Sequence, residues 1–217
     1  MRTGVGWVAV AAVLAGCAAP PPTSPVESSE TTAPSHPIAV DPARIDRARD
    51  HLPPDYEVVG LDPHATPISL WGVGQDWTAD PAPCGAPVAG DTTRGWSASG
   101  PGGIVYTGVT PLGAGPPEVA EPPCEQWQVV GRHTVGRVAV VPAPEIDDAH
   151  TLGLSADLTT VVEGGTETRA HAHTFTAATG GYRVFVTTIT DPGSPNPPLA
   201  PRFGADLLIH TVAALRG

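Results

Sequence analysis

The chain has 217 residues and a formal net charge of -11, and all 11 of its basic side chains are arginine. A chain this acidic repels phosphate backbones and anionic surfaces, which argues against nucleic acid as a partner and against a basic-patch contact with a membrane. Its 27 prolines and 25 glycines favour turns and short strands over a helical bundle. The lysine-free, Ala/Gly/Pro/Val-rich composition points to a high-GC genome such as an actinobacterial one.

Arg2 precedes a run of apolar and small residues from Val5 to Leu14. This is the layout of a secretory signal, and it is too short to span a bilayer, which takes about 20 apolar residues. Leu14-Ala15-Gly16-Cys17 then reads as a lipobox. Ala15 and Gly16 are small enough for a signal-peptidase cleft, and the Cys17 thiol can carry a diacylglyceryl group. Residues 1–16 are therefore expected to be a signal peptide and Cys17 the lipidated mature N-terminus. Two or more acyl chains, at about 0.8 kcal/mol per buried methylene, anchor stably where one does not. The alternative is an ordinary secretion signal with a chance cysteine. No later stretch is long and apolar enough for a transmembrane helix. Residues 17–37 are rich in Pro, Ser, Thr and Ala and cannot bury enough surface to offset ordering, so they read as a disordered tether. Residues 38–217 have the length of a single globular domain.

Asp41-Pro42 offers an N-cap and a first helical residue, with Ile45, Ala48 and Leu52 on one face, which predicts a helix ended by Pro53-Pro54. Tyr56–Leu61 reads as a first strand. The Pro/Gly-rich stretch from Asp62 to Gly90 reads as irregular and holds Trp71, Trp77 and Cys84. Gly95–Thr107 predicts two strands joined by the glycine-rich turn Gly100–Gly103. Pro111–Pro123 is a proline-rich loop leading to Cys124 and Trp127. Gln126–Val130 and Thr134–Val141 are candidate strands across a turn at Gly131. From Thr151 to Val162 apolar residues alternate at period two, the mark of a strand with one buried face. Glu167–Thr176 and Tyr182–Thr190 follow on short turns, giving an antiparallel meander. Pro201–Arg216 carries Phe203, Leu207, Leu208, Val212 and Leu215 on one face and predicts a closing helix packed on the sheet. The expected class is α+β: an antiparallel sheet of roughly six to eight strands with an N-terminal and a C-terminal helix packed on it.

With Cys17 taken by lipid, Cys84 and Cys124 are an even pair in an oxidising compartment, so a disulfide is expected, with two buried thiols as the alternative. His171 and His173, two apart on a strand, project to one face and could chelate a metal. That face also carries Glu167 and Arg169, so a solvated surface is the simpler reading, and no metal or cofactor is assigned. The Gly100–Gly103 turn lacks both the Lys-Ser/Thr ending of a phosphate loop and the dinucleotide spacing. Ser97 lacks the Gly-x-Ser-x-Gly context of a nucleophile elbow. No catalytic residues are assigned.

The order of Cys17, the tether, Tyr56-Glu57-Val58, Trp71-Gly72, Cys84, the Gly95–Tyr106 strand pair, Cys124 with Trp127, Thr190-Asp191-Pro192-Gly193 and the Leu207-Leu208 helix resembles a family of uncharacterised mycobacterial lipoproteins, a domain of unknown function. More distantly the chain is similar to the PknH-like extracellular sensor domain, whose antiparallel sheet and helices form a cleft. It differs in having only one possible bridge and a tryptophan after, not before, its second cysteine.

The expectation is then a lipid-anchored protein on the extracytoplasmic face of an actinobacterial cell membrane. Its monomeric, non-enzymatic domain would bind an amphiphile or another envelope protein, with an envelope hydrolase as the alternative. A groove between the sheet and Pro201–Arg216, near Trp71, Trp96 or Trp127, is the expected binding place. Loop tryptophans more often plug a core, which is the competing reading of those three.

Overall fold

Among the described residues, nine strands form one antiparallel sheet. The computed structural model describes residues 39–88, 94–113 and 124–217. The expected signal peptide, Cys17, the tether up to Pro37 and most of the 111–123 proline stretch lie outside the described residues. The strands are β1 (Glu57–Gly60), β2 (Thr78–Asp80), β3 (Arg94–Gly100), β4 (Gly103–Pro111), β5 (Gln126–Val130), β6 (Thr134–Val141), β7 (His150–Val161), β8 (Glu167–Thr179) and β9 (Tyr182–Ile189). Their spatial order is β1-β3-β4-β9-β8-β7-β6-β5-β2. The strand beyond the expected range is β2, three residues long, inside the stretch read as irregular; among the described residues it pairs only with β5.

Because side chains alternate across a strand, the register sorts the residues onto two faces. Trp96 pairs with Thr107, Thr107 with Val186 and Val186 with Phe175, so these share one face. Thr187 pairs with Thr174 and Thr174 with Leu154, which places these on the other. The first face is covered over β9 and β8 by helix α1 (Pro201–Arg216), and over β3 and β4 by the N-terminal helix Pro42–His51. Leu207, Leu208, Val212 and Leu215 are each 1 % exposed or less, and burying each contributes roughly 1.5–3 kcal/mol. Gly204 lets the helix sit down on Phe175, since a Cβ there would lie 3.2 Å from the ring.

The N-terminal helix is a 3₁₀ helix, Pro42–His51, not the α-helix that its apolar spacing also fits. Asp41 Oδ1 accepts from the amide of Ala43 at 2.9 Å. At three residues per turn, side chains at i and i+3 stack. Ile45 and Ala48 are accordingly both buried, while Asp41–Arg44 (3.3 Å) and Asp46–Arg49 (2.6 Å) pair outside. The helix runs beside α1, where the rings of His51 and His210 stack with centroids 3.7 Å apart.

The second face is covered at the opposite half of the sheet, over β5 to β8, by the irregular stretch that contains Ile68, Trp71 and Val73. Cys84 and Cys124 are bonded and buried here, with Cα atoms 5.2 Å apart, and tie the 3₁₀ helix Ala82–Val88 to the start of β5. The two layers thus lie on opposite faces and at opposite ends, and among the described residues the first face of β5, β6 and β7 carries no helix. Among the described residues no helix is long and apolar enough to cross a membrane.

Candidate functional site

The uncovered region of the first face begins where α1 ends its coverage, at His171 and His173 on β8. Register sets their neighbours: His171 pairs with Asp157 of β7, and His173 lies between Ser155 of β7 and Thr188 of β9. His171 Nδ1 and Asp157 Oδ1 are 2.6 Å apart. Both side chains are mostly exposed, so the pair contributes little to stability and acts to orient the ring. The backbone of His171 is held at the sheet end: its amide donates to Thr190 Oγ1 at 2.8 Å, and its carbonyl accepts from the Thr190 amide at 2.9 Å.

His173 is half-buried, and its Nδ1 is sealed from solvent with no hydrogen-bond partner. Burial holds its pKa below the usual 6.5; the charge of the neighbouring His171 pushes the same way, and Asp157 opposes both. An imidazolium needs partners for two N–H groups, so this setting keeps the ring neutral.

Around these rings lies a cleft of about 180 Å³, walled by Ile189, Leu199, Pro198 and Pro201, with Thr188 and Gly102 completing it. The proline segment is fastened across it by the Leu199 amide, which donates to the Gly102 carbonyl at 3.1 Å. This close approach explains the glycine-rich turn. A Cβ on Gly102, whose φ is +95°, would lie 2.9 Å from the Pro197 carbonyl oxygen, and one on Gly103 would meet that of Ile189 at 2.1 Å. Further along the same face a shallower depression of about 240 Å³ is lined by Gln128, Arg137, Asp157 and Thr159. Asp157 therefore borders this depression while its carboxylate holds the His171 ring that lines the cleft.

The cleft lies between the sheet and the entry to α1, and none of Trp71, Trp96 and Trp127 lines it. The three do not share a groove at all. They are 3, 0 and 4 % exposed, with Trp96 on the helix-covered face and the other two in the disulfide-linked layer on the opposite one. Trp96 Nε1 donates to the Ile45 carbonyl at 3.3 Å, and Trp71 Nε1 to Thr174 Oγ1 at 3.0 Å. The physical reason is volume: layers built from a short 3₁₀ helix and an irregular chain need large aromatic side chains to fill them. Ser97 sits inside β3 opposite Tyr106, on a hairpin strand, not on a strand-to-helix turn. Among the described residues no set of three His, Cys, Asp or Glu side chains is placed to hold a metal ion. Sequence reasoning put His171 and His173 on one face but missed Asp157, which lies 14 residues away from His171 and joins it only through the β7–β8 register.

Among the described residues, a nine-stranded antiparallel sheet with one long helix, one disulfide and a small imidazole-bearing cleft defines an α+β domain with one sheet face partly uncovered. The model of the family described as a domain of unknown function, DUF5642, matches residues 41–216, and the chain belongs to that family. No curated protein matches the chain. The fold is similar to the X-ray structure of an uncharacterised protein of Mycobacterium smegmatis, described as an Rv0999 ortholog. That similarity has a TM-score of 0.56 and 23 % identity, covering 82 % of this chain and 98 % of that one.

Proposed function

We propose that this is a lipid-anchored cell-envelope protein whose single domain, residues 38–217, binds a small ligand or the side chain of an envelope partner in the His171/His173 cleft. In this reading residues 1–16 are removed as a signal peptide, and Cys17 carries the lipid on the extracytoplasmic face of an actinobacterial membrane. Residues 17–37 then hold the domain off the surface. What supports the binding role is the cleft itself: apolar walls of Ile189, Leu199 and prolines around a neutral, half-buried imidazole, the usual make-up of a binding pocket.

Two experiments test the reading. Metabolic labelling with an alkyne-bearing fatty acid should mark the full chain and fail on Cys17→Ala; labelling of that variant overturns the anchor. Native mass spectrometry of the full chain extracted from an actinobacterial envelope should reveal a non-covalent adduct that is lost in Leu199→Asp. A clean apo mass for the wild type removes the small-ligand role.

The Asp157–His171 pair favours a second reading, an envelope hydrolase. A carboxylate on Nδ1 leaves Nε2 free to act as a general base. Among the described residues no hydroxyl is hydrogen-bonded to the His171 ring, so the base would have to activate water. Ester turnover that disappears in Asp157→Asn and His171→Ala would place this reading first.

A further inference from the structure

A third hollow, larger than the two described above, lies away from the His171/His173 cleft. The segment Gly72–Thr78 runs from the 3₁₀ helix Ser69–Trp71 to β2, and beside it the β5–β6 turn reverses at Gly131–His133. Between them is a groove of about 840 Å³, within the range of pockets that enclose small molecules.

Its floor is held rigidly. A Cβ on Gly131 would fall 2.0 Å from the Val73 carbonyl oxygen, so only glycine allows the two segments to touch there. Thr134 Oγ1 donates to the Gly72 carbonyl at 3.0 Å and lies 2.8 Å from Thr160 Oγ1. A preformed floor spares a ligand the cost of ordering it.

The walls alternate donors and acceptors. Gln75, Asp76, Arg132 and His133 line the groove, all exposed, and none of these side chains has a hydrogen-bond or ion-pair partner among the described residues. Val130, 39 % exposed, adds an apolar patch. This chemistry discriminates between ligand classes. One arginine and one aspartate in the same lining, in a chain of net charge -11, disfavour phosphates and other polyanions. Among the described residues Val73 and Val130 are the only apolar side chains in the lining, too few for an acyl chain. A carboxylate that accepts from two hydroxyls, a guanidinium and amide that donate to oxygens, and a small apolar rest suit a neutral polyhydroxylated molecule with a C–H face.

We infer that the groove between Gly72–Thr78 and the β5–β6 turn is a carbohydrate-binding site. It takes one to three sugar rings through Asp76 and Arg132, with Val130 under a ring face. The site is independent of the His171/His173 cleft.

The test is saturation-transfer NMR on the full chain in detergent, with cellotriose and maltotriose as probes and inositol hexakisphosphate as the anionic control. At least one trisaccharide should give transfer to its ring protons. Asp76→Ala and Arg132→Ala should each weaken that binding about tenfold, the scale of a hydrogen bond to a charged group. Both side chains are exposed and unpaired, so neither change touches the fold. Asp157→Asn, in the depression beside His171, should leave the sugar signal unchanged, and loss of binding there would assign the sugar to the wrong site and overturn the proposal. It is also overturned by no transfer to either sugar, by signals undiminished in both groove variants, or by binding of the hexakisphosphate alone.

Discussion

The indole Nε1 of Trp71 donates to Thr174 Oγ1 at 3.0 Å, and that hydroxyl is in turn 2.7 Å from Thr187 Oγ1. Trp71 sits in the irregular layer while Thr174 and Thr187 lie on β8 and β9, and the two threonines are fully buried. This one chain of hydrogen bonds pins the loop layer to the middle of the sheet. Thr174→Val keeps the shape but leaves the indole N–H and the Thr187 hydroxyl without their partner. An unmet buried polar group costs about 1–3 kcal/mol, so urea unfolding should show a stability loss in that range. An unchanged midpoint would mean that the Trp71 contact is only a packing contact.

Trp96 has no free edge at all, with 0 % exposure and its N–H bound to the Ile45 carbonyl. Trp96→Ala should cost about 3–5 kcal/mol, the range for emptying a buried aromatic site. Ligand or sugar binding, measured on whatever folded fraction remains, should be unchanged, since Trp96 borders neither hollow.

The disulfide closes a loop with a sequence separation of 40. In the chain-entropy model, opening a loop of this length removes about 4 kcal/mol of stability. Thermal unfolding of a Cys84→Ser/Cys124→Ser chain should therefore fall well below the wild type. Reductant should lower the wild-type transition and leave that of the variant where it is.

His173 makes the fold sensitive to mild acid. Burial lowers its folded pKa, while the unfolded chain takes up a proton near 6.5. As pH falls through 6.5 the unfolded state binds the proton first, so stability drops, and the loss is complete below the folded value. His173→Gln should flatten the slope of stability against pH between about 7 and 5 relative to wild type. Parallel slopes for the two proteins, measured by urea midpoints, would show that His173 does not carry the effect.

Two glycines in the groove between Gly72–Thr78 and the β5–β6 turn separate conformational from steric demand. Gly72 has φ +82° with open space beside it, so Gly72→Ala should cost only the left-handed backbone, about 1–2 kcal/mol. Gly131 meets the Val73 carbonyl, so Gly131→Ala must push the backbones of two segments apart and should cost more than Gly72→Ala. Calorimetric unfolding of the two variants gives the order directly.

Much of the architecture is legible in the residues alone. β5, β6 and α1 begin and end where pattern and punctuation put them, at Gln126–Val130, Thr134–Val141 and Pro201–Arg216. These elements are long or sharply bounded, and their apolar period matches one structure only. β2 escapes notice because three residues carry no period; its partner β5 makes it a strand. The 3₁₀ form of Pro42–His51 escapes for a related reason, since Ile45 and Ala48 are compatible with both 3.0 and 3.6 residues per turn. The tryptophans read both as a groove and as core, and their loop setting does not reveal which side of the sheet each takes.

Local pattern and counting are enough for the class of the fold, the near-complete set of strands, the closing helix and the candidate cysteine pair. The strand order, with β4 beside β9 and β2 at the far edge, emerges only when the chain is folded. So do the Asp157–His171 pair, the sealed Nδ1 of His173 and the meeting of Gly131 with Val73. Each of these joins residues far apart in the chain, and loop closure carries no local signature in the residues it brings together.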